Sequence, residues 1–413
     1  MAKTLVYQMF PRAWTNLKEM EKHLHRLVKL GVDYVWLCPM HPSPGFDQGY
    51  DVSDYKTLDS RFGSFQDFDQ FVETAHFLGI GVIMELVLNH TSTAHKWFRE
   101  NPEYYCWSDS DWPEWHNFFD EGPAWEKYYD TRGGNYSLER GYYLHSFAKT
   151  KADLNWFSGD EVNQTLLHEF IDIVKFWLEE HGVDGFHLDF PQGLNKNLHA
   201  DSLEIADLVW GERMDDVIEA IFTHSGVVTK TGKKPFLIAE FFDPTPASLI
   251  AMCSEHLSAV DFFTNPLIKG VDLEDNFQLL EECLEVSVKN PKFMLDLESQ
   301  DSPRFTSTSG LPACQVIDLM FDSGANAVCL YQGQEIGTRN PIWLQMTDEL
   351  MMTLDATAAV RHQKGENLSN IRKTSCANNR VRISLTDYAI QDGIDGSTLE
   401  YIKSKIKEWK SKP

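Results

Sequence analysis

Asp189, Glu240 and Asp301 are three carboxylates, each placed at or just beyond the point where an apolar run gives way to polar sequence. Gly185-Phe186-His187-Leu188-Asp189 and Phe236-Leu237-Ile238-Ala239-Glu240 end on their acids, and Phe293-Met294-Leu295-Asp296-Leu297 runs out shortly before Asp301. Carboxyl groups that converge on one point can break a glycosidic bond. One attacks the anomeric carbon while another protonates the departing oxygen, and the retaining form of the chemistry needs the pair about 5–5.5 Å apart.

Acids so far apart in sequence must be brought together by the fold. The runs that carry them read as strands buried on both faces. Similar runs lie near 4–10, 33–38, 80–87, 184–189, 235–240, 258–263, 292–297 and 326–331. Amphipathic helical segments alternate with them, for example 17–30, 65–78, 162–180, 273–286 and 344–362, with apolar residues recurring at three and four. Alternation of this kind predicts an α/β fold, a (β/α)8 TIM barrel, whose strand ends gather distant residues around one axis. The expected division is a barrel from 1–90 and 160–365, an inserted subdomain at 91–159 after strand 3, and a short C-terminal appendage at 366–413. The connection of about 70 residues after Val87 is far longer than an ordinary βα loop. The appendage carries a strand-like run, Arg380 to Leu385, and a basic helix near 397–411. No internal repeat is evident in the sequence.

Composition narrows the partners. The chain has 413 residues, 62 Asp+Glu against 37 Lys+Arg, and a formal charge of -25, which repels nucleic acid and anionic membrane. Seven cysteines (38, 106, 253, 283, 314, 329 and 376) include no Cys-x-x-Cys pair, a pattern of free thiols that predicts a reducing, cytoplasmic location. The N-terminal residues lack a secretory pattern, and no apolar run approaches the roughly 18 residues of a membrane span.

The motifs together resemble the α-amylase family of glycoside hydrolases, closest to its oligo-1,6-glucosidase and α-glucosidase-like branch. Val6-Tyr7-Gln8-Met9-Phe10-Pro11-Arg12 is similar to the family's first strand, and Gly49-Tyr50-Asp51-Val52-Ser53-Asp54-Tyr55 followed by Phe62-Gly63 to its second loop. Glu85-Leu86-Val87-Leu88-Asn89-His90, the Asp189 and Glu240 runs, and Ser299-Gln300-Asp301-Ser302-Pro303-Arg304 resemble the third, fourth, fifth and seventh strand motifs. Tyr331-Gln332-Gly333-Gln334-Glu335-Ile336-Gly337 resembles the eighth, and Ala152-Asp153-Leu154-Asn155-Trp156 the short signature of the oligo-1,6-glucosidase branch.

The resemblance implies that Asp189 is the nucleophile, Glu240 the general acid and then base, and Asp301 the carboxylate that stabilises the transition state. Crowding by negative charge is expected to raise the proton affinity of Glu240 while hydrogen bonds keep Asp189 ionised. It also implies a substrate shell of Asp47, Tyr50, His90, His187, Gln300 and Arg304. Tyr50 would be an aromatic floor under the nonreducing glucose, Asp47 an acceptor for its hydroxyls and His90 a hydrogen-bond partner of the same ring. No cofactor is required and no metal is expected. The first-loop segment Ala13-Trp14-Thr15-Asn16-Leu17 lacks the carboxylates that calcium takes.

The sequence departs from the family inside the sugar site. His187 stands where the family has Arg, Gln300 where it has His, and Glu85 where the partnering acid is Asp. An Arg is always charged whereas His is not, and a cation about 4 Å from a carboxylate is worth roughly 4 kcal/mol at an effective dielectric of 20. Glu85 and His187 are therefore expected to form a substitute pair. Phe190, after the nucleophile, leaves the preferred linkage open, and Trp107, Trp112, Trp115 and Trp125 offer either packing or stacking surface. The expected activity is retaining hydrolysis of short α-glucosides, a small oligosaccharide or disaccharide being the partner. The alternatives are a transglycosylase or sugar isomerase using the same residues, or a carbohydrate-binding scaffold with little or no catalysis.

Overall fold

The computed structural model describes residues 2–111, 117, 123–130, 138–196, 213–241, 258–264, 281, 284–301, 305, 309–336 and 396–412. Eight parallel strands form one sheet: β1 (Thr4–Met9), β2 (Tyr34–Leu37), β3 (Gly81–Val87), β4 (Gly185–Asp189), β5 (Phe236–Glu240), β6 (Phe262–Thr264), β7 (Met294–Asp296) and β8 (Ala327–Tyr331). They lie in the order β6-β5-β4-β3-β2-β1-β8-β7, and a parallel bridge from Phe263 to Phe293 joins the two ends into a barrel. All of the expected strands are present, because strands covered by helices outside and side chains inside must be apolar almost throughout.

The helices start and stop where local chemistry dictates. α1 (Leu17–Leu30) begins at Asn16, whose side chain accepts from the Glu19 N–H, and ends at Gly31 with φ 81°. Asn16 thus caps a helix, and the neighbouring Ala13, Trp14 and Leu17 are buried. α2 (Phe65–Phe77) opens with a reciprocal Ser64–Asp67 capping box. α3 (Gln164–Lys175) runs on in wider turns to Glu180. Of the helix expected at 273–286, residue 281 and residues 284–286 are described and helical, while the helix at 344–362 and the strand at 380–385 lie outside the described residues.

A repeated device sets the register at the bottom of the barrel. Asp33, Asp184 and Asp261 each follow a valine and directly precede β2, β4 or β6. Their carboxylates accept the N–H of Leu5, Val82 and Leu237, at 2.8, 2.7 and 2.9 Å. The N–H of each Asp returns to the carbonyl of that same residue. The sequence carries this as a short Val-Asp recurrence. Close approach also fixes Gly185, where a Cβ would stand 1.9 Å from the Phe236 carbonyl oxygen.

The segment that follows β3 supplies strands of its own. His90–Ser92 pairs antiparallel with Lys151–Asp153, and Trp107–Ser108, Leu138–Leu144 and Trp125–Asp130 form a three-stranded sheet. Trp107 stacks on Phe98 at 5.7 Å and donates to the Pro102 carbonyl, and Trp125 is buried, so both pack the insertion; Trp112 and Trp115 lie outside the described residues.

The C-terminal helix α5 (Gly396–Ser411), read from sequence as part of an appendage, packs among the barrel helices against α1 and α4 (Ala313–Asp322). Trp409 donates to the Ala325 carbonyl at 3.0 Å, and Lys410 donates to Asp33 Oδ2 at 2.6 Å. Among the described residues no helix is long and apolar enough to cross a membrane.

Candidate active site

Register brings the first two acids level. Leu188 of β4 is opposite Ala239 of β5, so Asp189 and Glu240, the next residues, finish adjacent strands at the carboxyl end of the barrel. Neighbouring strands stand about 4.8 Å apart, close enough for side chains of similar reach to meet the separation of about 5–5.5 Å between carboxyl groups that the retaining mechanism needs. Both acids are buried, whereas Asp301, beyond the end of β7, is exposed to solvent.

The proton affinity of Asp189 is raised well above the ordinary value. Burial is the main cause, followed by the negative charges of Glu85 and Glu240 and, after an opposing pull from Lys151, that of Asp301. Sequence reasoning expected hydrogen bonds to hold Asp189 in its ionised form, so the upward shift corrects that expectation. An acid that ends a strand inside a ring of other carboxylates loses its water and gains repulsion together.

Glu85 and His187 do pair. His187 Nδ1 lies 2.6 Å from Glu85 Oε1, with both side chains fully buried on adjacent strands. An ionised carboxylate only accepts, so Nδ1 carries the proton. Trp36 donates to Glu85 Oε2 at 2.9 Å and its ring stacks on the imidazole at 3.7 Å. Removing one partner of a buried ion pair strands the other charge. His187→Ala is therefore expected to lower stability by about 3 kcal/mol or more and to reduce turnover, while adding Glu85→Gln recovers part of the stability. Urea unfolding of the two single variants and the double variant checks this; independent, additive effects would refute the pair.

Gln300 is engaged with its neighbours. Its amide nitrogen donates to the Tyr50 hydroxyl at 2.6 Å and to Asp301 Oδ2 at 2.5 Å, while its oxygen accepts from Gln8 Nε2 at 2.6 Å. The Tyr50 hydroxyl in turn donates to Glu85 Oε2 at 3.4 Å. A hydrogen-bonded chain thus runs from Gln8 on β1 through Gln300 and Tyr50 to Glu85 and His187, tying Asp301 to the β3–β4 pair.

His90 is buried and its proton affinity is pushed far down, by burial first and then by Lys151 and Lys196. Lys196, seven residues after the candidate nucleophile, donates to Asn89 Oδ1 at 2.9 Å and to the Gly193 carbonyl at 2.7 Å. That contact turns the Asn89 amide nitrogen toward His90 Nδ1, 3.2 Å away. Nδ1 therefore accepts and Nε2 carries the proton. Among the described residues this buried N–H has no hydrogen-bond partner, and it is a donor of the kind a sugar oxygen takes.

Asp47 is ion-paired with Lys151, whose ammonium is buried in the strand opposite His90–Ser92. Sequence reading missed Lys151 and Lys196; the only signal was a cation immediately before the Ala152 to Trp156 motif and another shortly after Asp189. Phe190 is held at φ 46°, ψ 52°, a left-handed conformation that costs a non-glycine residue about 1–2 kcal/mol. Its buried ring packs edge-on to Phe147 at 5.0 Å. Arg304 lies outside the described residues.

Comparison with known proteins agrees with this geometry. The chain is 30% identical to trehalose-6-phosphate hydrolase of Escherichia coli (strain K12), over 83% of this chain and 67% of that protein. It is 36% identical to the oligo-1,6-glucosidase of Heyndrickxia coagulans, over 50% of this chain but only 38% of that enzyme. The fold superposes on the crystal structure of Bacillus licheniformis trehalose-6-phosphate hydrolase with a TM-score of 0.80 at 23% identity, covering 100% of this chain and 84% of that one. The family description "Alpha amylase, catalytic domain" matches residues 10–382, and the chain belongs to the α-amylase family of glycoside hydrolases.

Proposed function

We propose that this chain is a retaining α-glucosidase-type enzyme that cleaves short α-glucosides through a covalent glycosyl-enzyme on Asp189. The observation that carries the reading is the level placement of Asp189 and Glu240 on adjacent strand ends, with Asp301 tied to the same site through Gln300. Asp189 attacks the anomeric carbon as Glu240 hands its proton to the leaving oxygen. Asp301 faces the positive charge that develops on the sugar ring. Glu240, now ionised, takes a proton from the incoming water, which displaces Asp189 and returns the starting configuration.

Asp47, Tyr50, His90, His187, Gln300 and Arg304 form the surrounding sugar shell in this reading, and the segment 91–159 is an inserted subdomain over the active face that favours a pocket for chain ends. Among the described residues Cys38, Cys106 and Cys314 are free thiols, which supports a cytoplasmic setting.

The test is anomer-resolved NMR of the products from an activated aryl α-glucoside. α-Glucose is expected to appear first and to mutarotate afterwards, and β-glucose as the first product would overturn the double displacement. Transfer of the glucosyl group to an added sugar, or isomerisation of sucrose, in preference to hydrolysis would assign the same residues to a transglycosylase or isomerase.

A further inference from the structure

We propose that Lys151 is the positioning cation of this sugar site: its ammonium holds Asp47 in place and supplies to the site the positive charge that a histidine paired with Glu85 does not. The inference rests on the reading of the site given above and adds to it a residue from the inserted segment.

Lys151 is 1% exposed, and its ammonium donates to Asp47 Oδ2. It also stands 4.6 Å over the ring of Phe147, which packs against His90 at 5.3 Å and Phe190 at 5.0 Å. Burying an ammonium costs several kcal/mol unless it is paired. A buried position on a strand would ordinarily be apolar, so a lysine here points to a use for its charge.

The charges around Asp189 define that use. Glu85 comes from β3, Glu240 from β5 and Asp301 from beyond β7, all of them opposing its ionisation, while Lys151 favours it. Lys151 is in turn faced by Asp47, Asp189 and His90. The His187 imidazole is engaged by Glu85, so any charge it carries is neutralised at once. Lys151 thus does two things: it orients the carboxylate that is to accept sugar hydroxyls, and it draws the proton affinity of the nucleophile back down against the surrounding carboxylates.

The experiment compares wild type with Lys151→Met, which keeps the length and loses the charge, and Lys151→Arg, which keeps the charge. Three quantities are followed: kcat and KM on an aryl α-glucoside against pH, melting temperature, and the rate of labelling by a cyclitol epoxide against pH. In the labelling step the Asp189 carboxylate opens the epoxide, the ring oxygen takes the Glu240 proton, and the resulting ester is located by mass spectrometry. For Lys151→Met the acid limb of both profiles is expected to move up by about one pH unit. At pH values on that limb kcat/KM falls about tenfold, and KM rises as Asp47 is released. Lys151→Arg keeps the wild-type limb. An unmoved limb in Lys151→Met overturns the proposal, as does a loss of melting temperature shared by both variants with no change in either profile. A wild type that labels but does not hydrolyse removes the hydrolase reading and leaves the labelling profile to decide on Lys151; one that does neither overturns both.

Discussion

Asp189→Ala is expected to lower kcat on an activated aryl α-glucoside by about 10⁴–10⁶-fold, the scale seen when a covalent nucleophile is removed. Removing the carboxylate abolishes the glycosyl-enzyme, so the mass increase trapped by a slow fluorinated substrate disappears as well. Folding is expected to hold. Asp189 lies at the end of its strand under a raised proton affinity, and an alanine relieves the repulsion from Glu85, Glu240 and Asp301. Wild type and Asp189→Ala with the same background rate would instead favour a binding scaffold, and a melting temperature unchanged or slightly higher in the variant separates lost chemistry from lost structure.

Acid is expected to unfold the protein steeply. Burial depresses the proton affinity of His23 to about 3 and of His41 and His95 to about 4, and holds His90 well below its ordinary 6.5. In the unfolded chain these rings titrate near 6.5. Their contribution is present above that pH and is lost as pH falls toward their folded values, because only the unfolded chain can take up the protons. Asp153 and Asp189 oppose this, since burial raises their folded values and lets the native state bind protons first. Two protons in excess correspond to about 3 kcal/mol per pH unit between about pH 6 and pH 4, a large share of a domain stability of roughly 5–15 kcal/mol. Urea unfolding from pH 7 to pH 4 measures the slope. His41→Phe, within reach of the Tyr55 and Trp177 rings, should flatten it, and a slope equivalent to less than one proton would show that the histidines are not the cause.

The barrel and its acids are legible because their physics is local. A strand buried on both faces is a continuous apolar run, and an acid at its end stands out against that run. The Glu85–His187 pair is legible for a related reason: both residues lie inside strand motifs where a change of partner length is visible in sequence. Lys151 is not legible. Its role depends on an antiparallel pairing between Lys151–Asp153 and His90–Ser92 that joins residues far apart in the chain. The direction of the Asp189 shift was also hidden, because it sums burial with charges from separate strands. The basic C-terminal helix looked separate because its apolar face is narrow. Ile402, Ile406 and Trp409 are the residues that bury it.

That helix carries a consequence for the order in which the barrel matures. Asp33 clasps β1 to β2 with one oxygen, and that same Oδ2 accepts from Lys410, so the first βαβ unit and the last helix meet at a single atom. At the β8 side the residue before the strand is Asn326, which offers Thr4 only its carbonyl, and Trp409 covers the adjacent Ala325. During synthesis the early units can register themselves through their own aspartates, whereas the cover over the β8–β1 seam is expected to come only with residues 396–412. A ribosome-stalled chain lacking that stretch would have ordered pairs of strands and an unsealed edge, the state from which intermolecular strand pairing would begin.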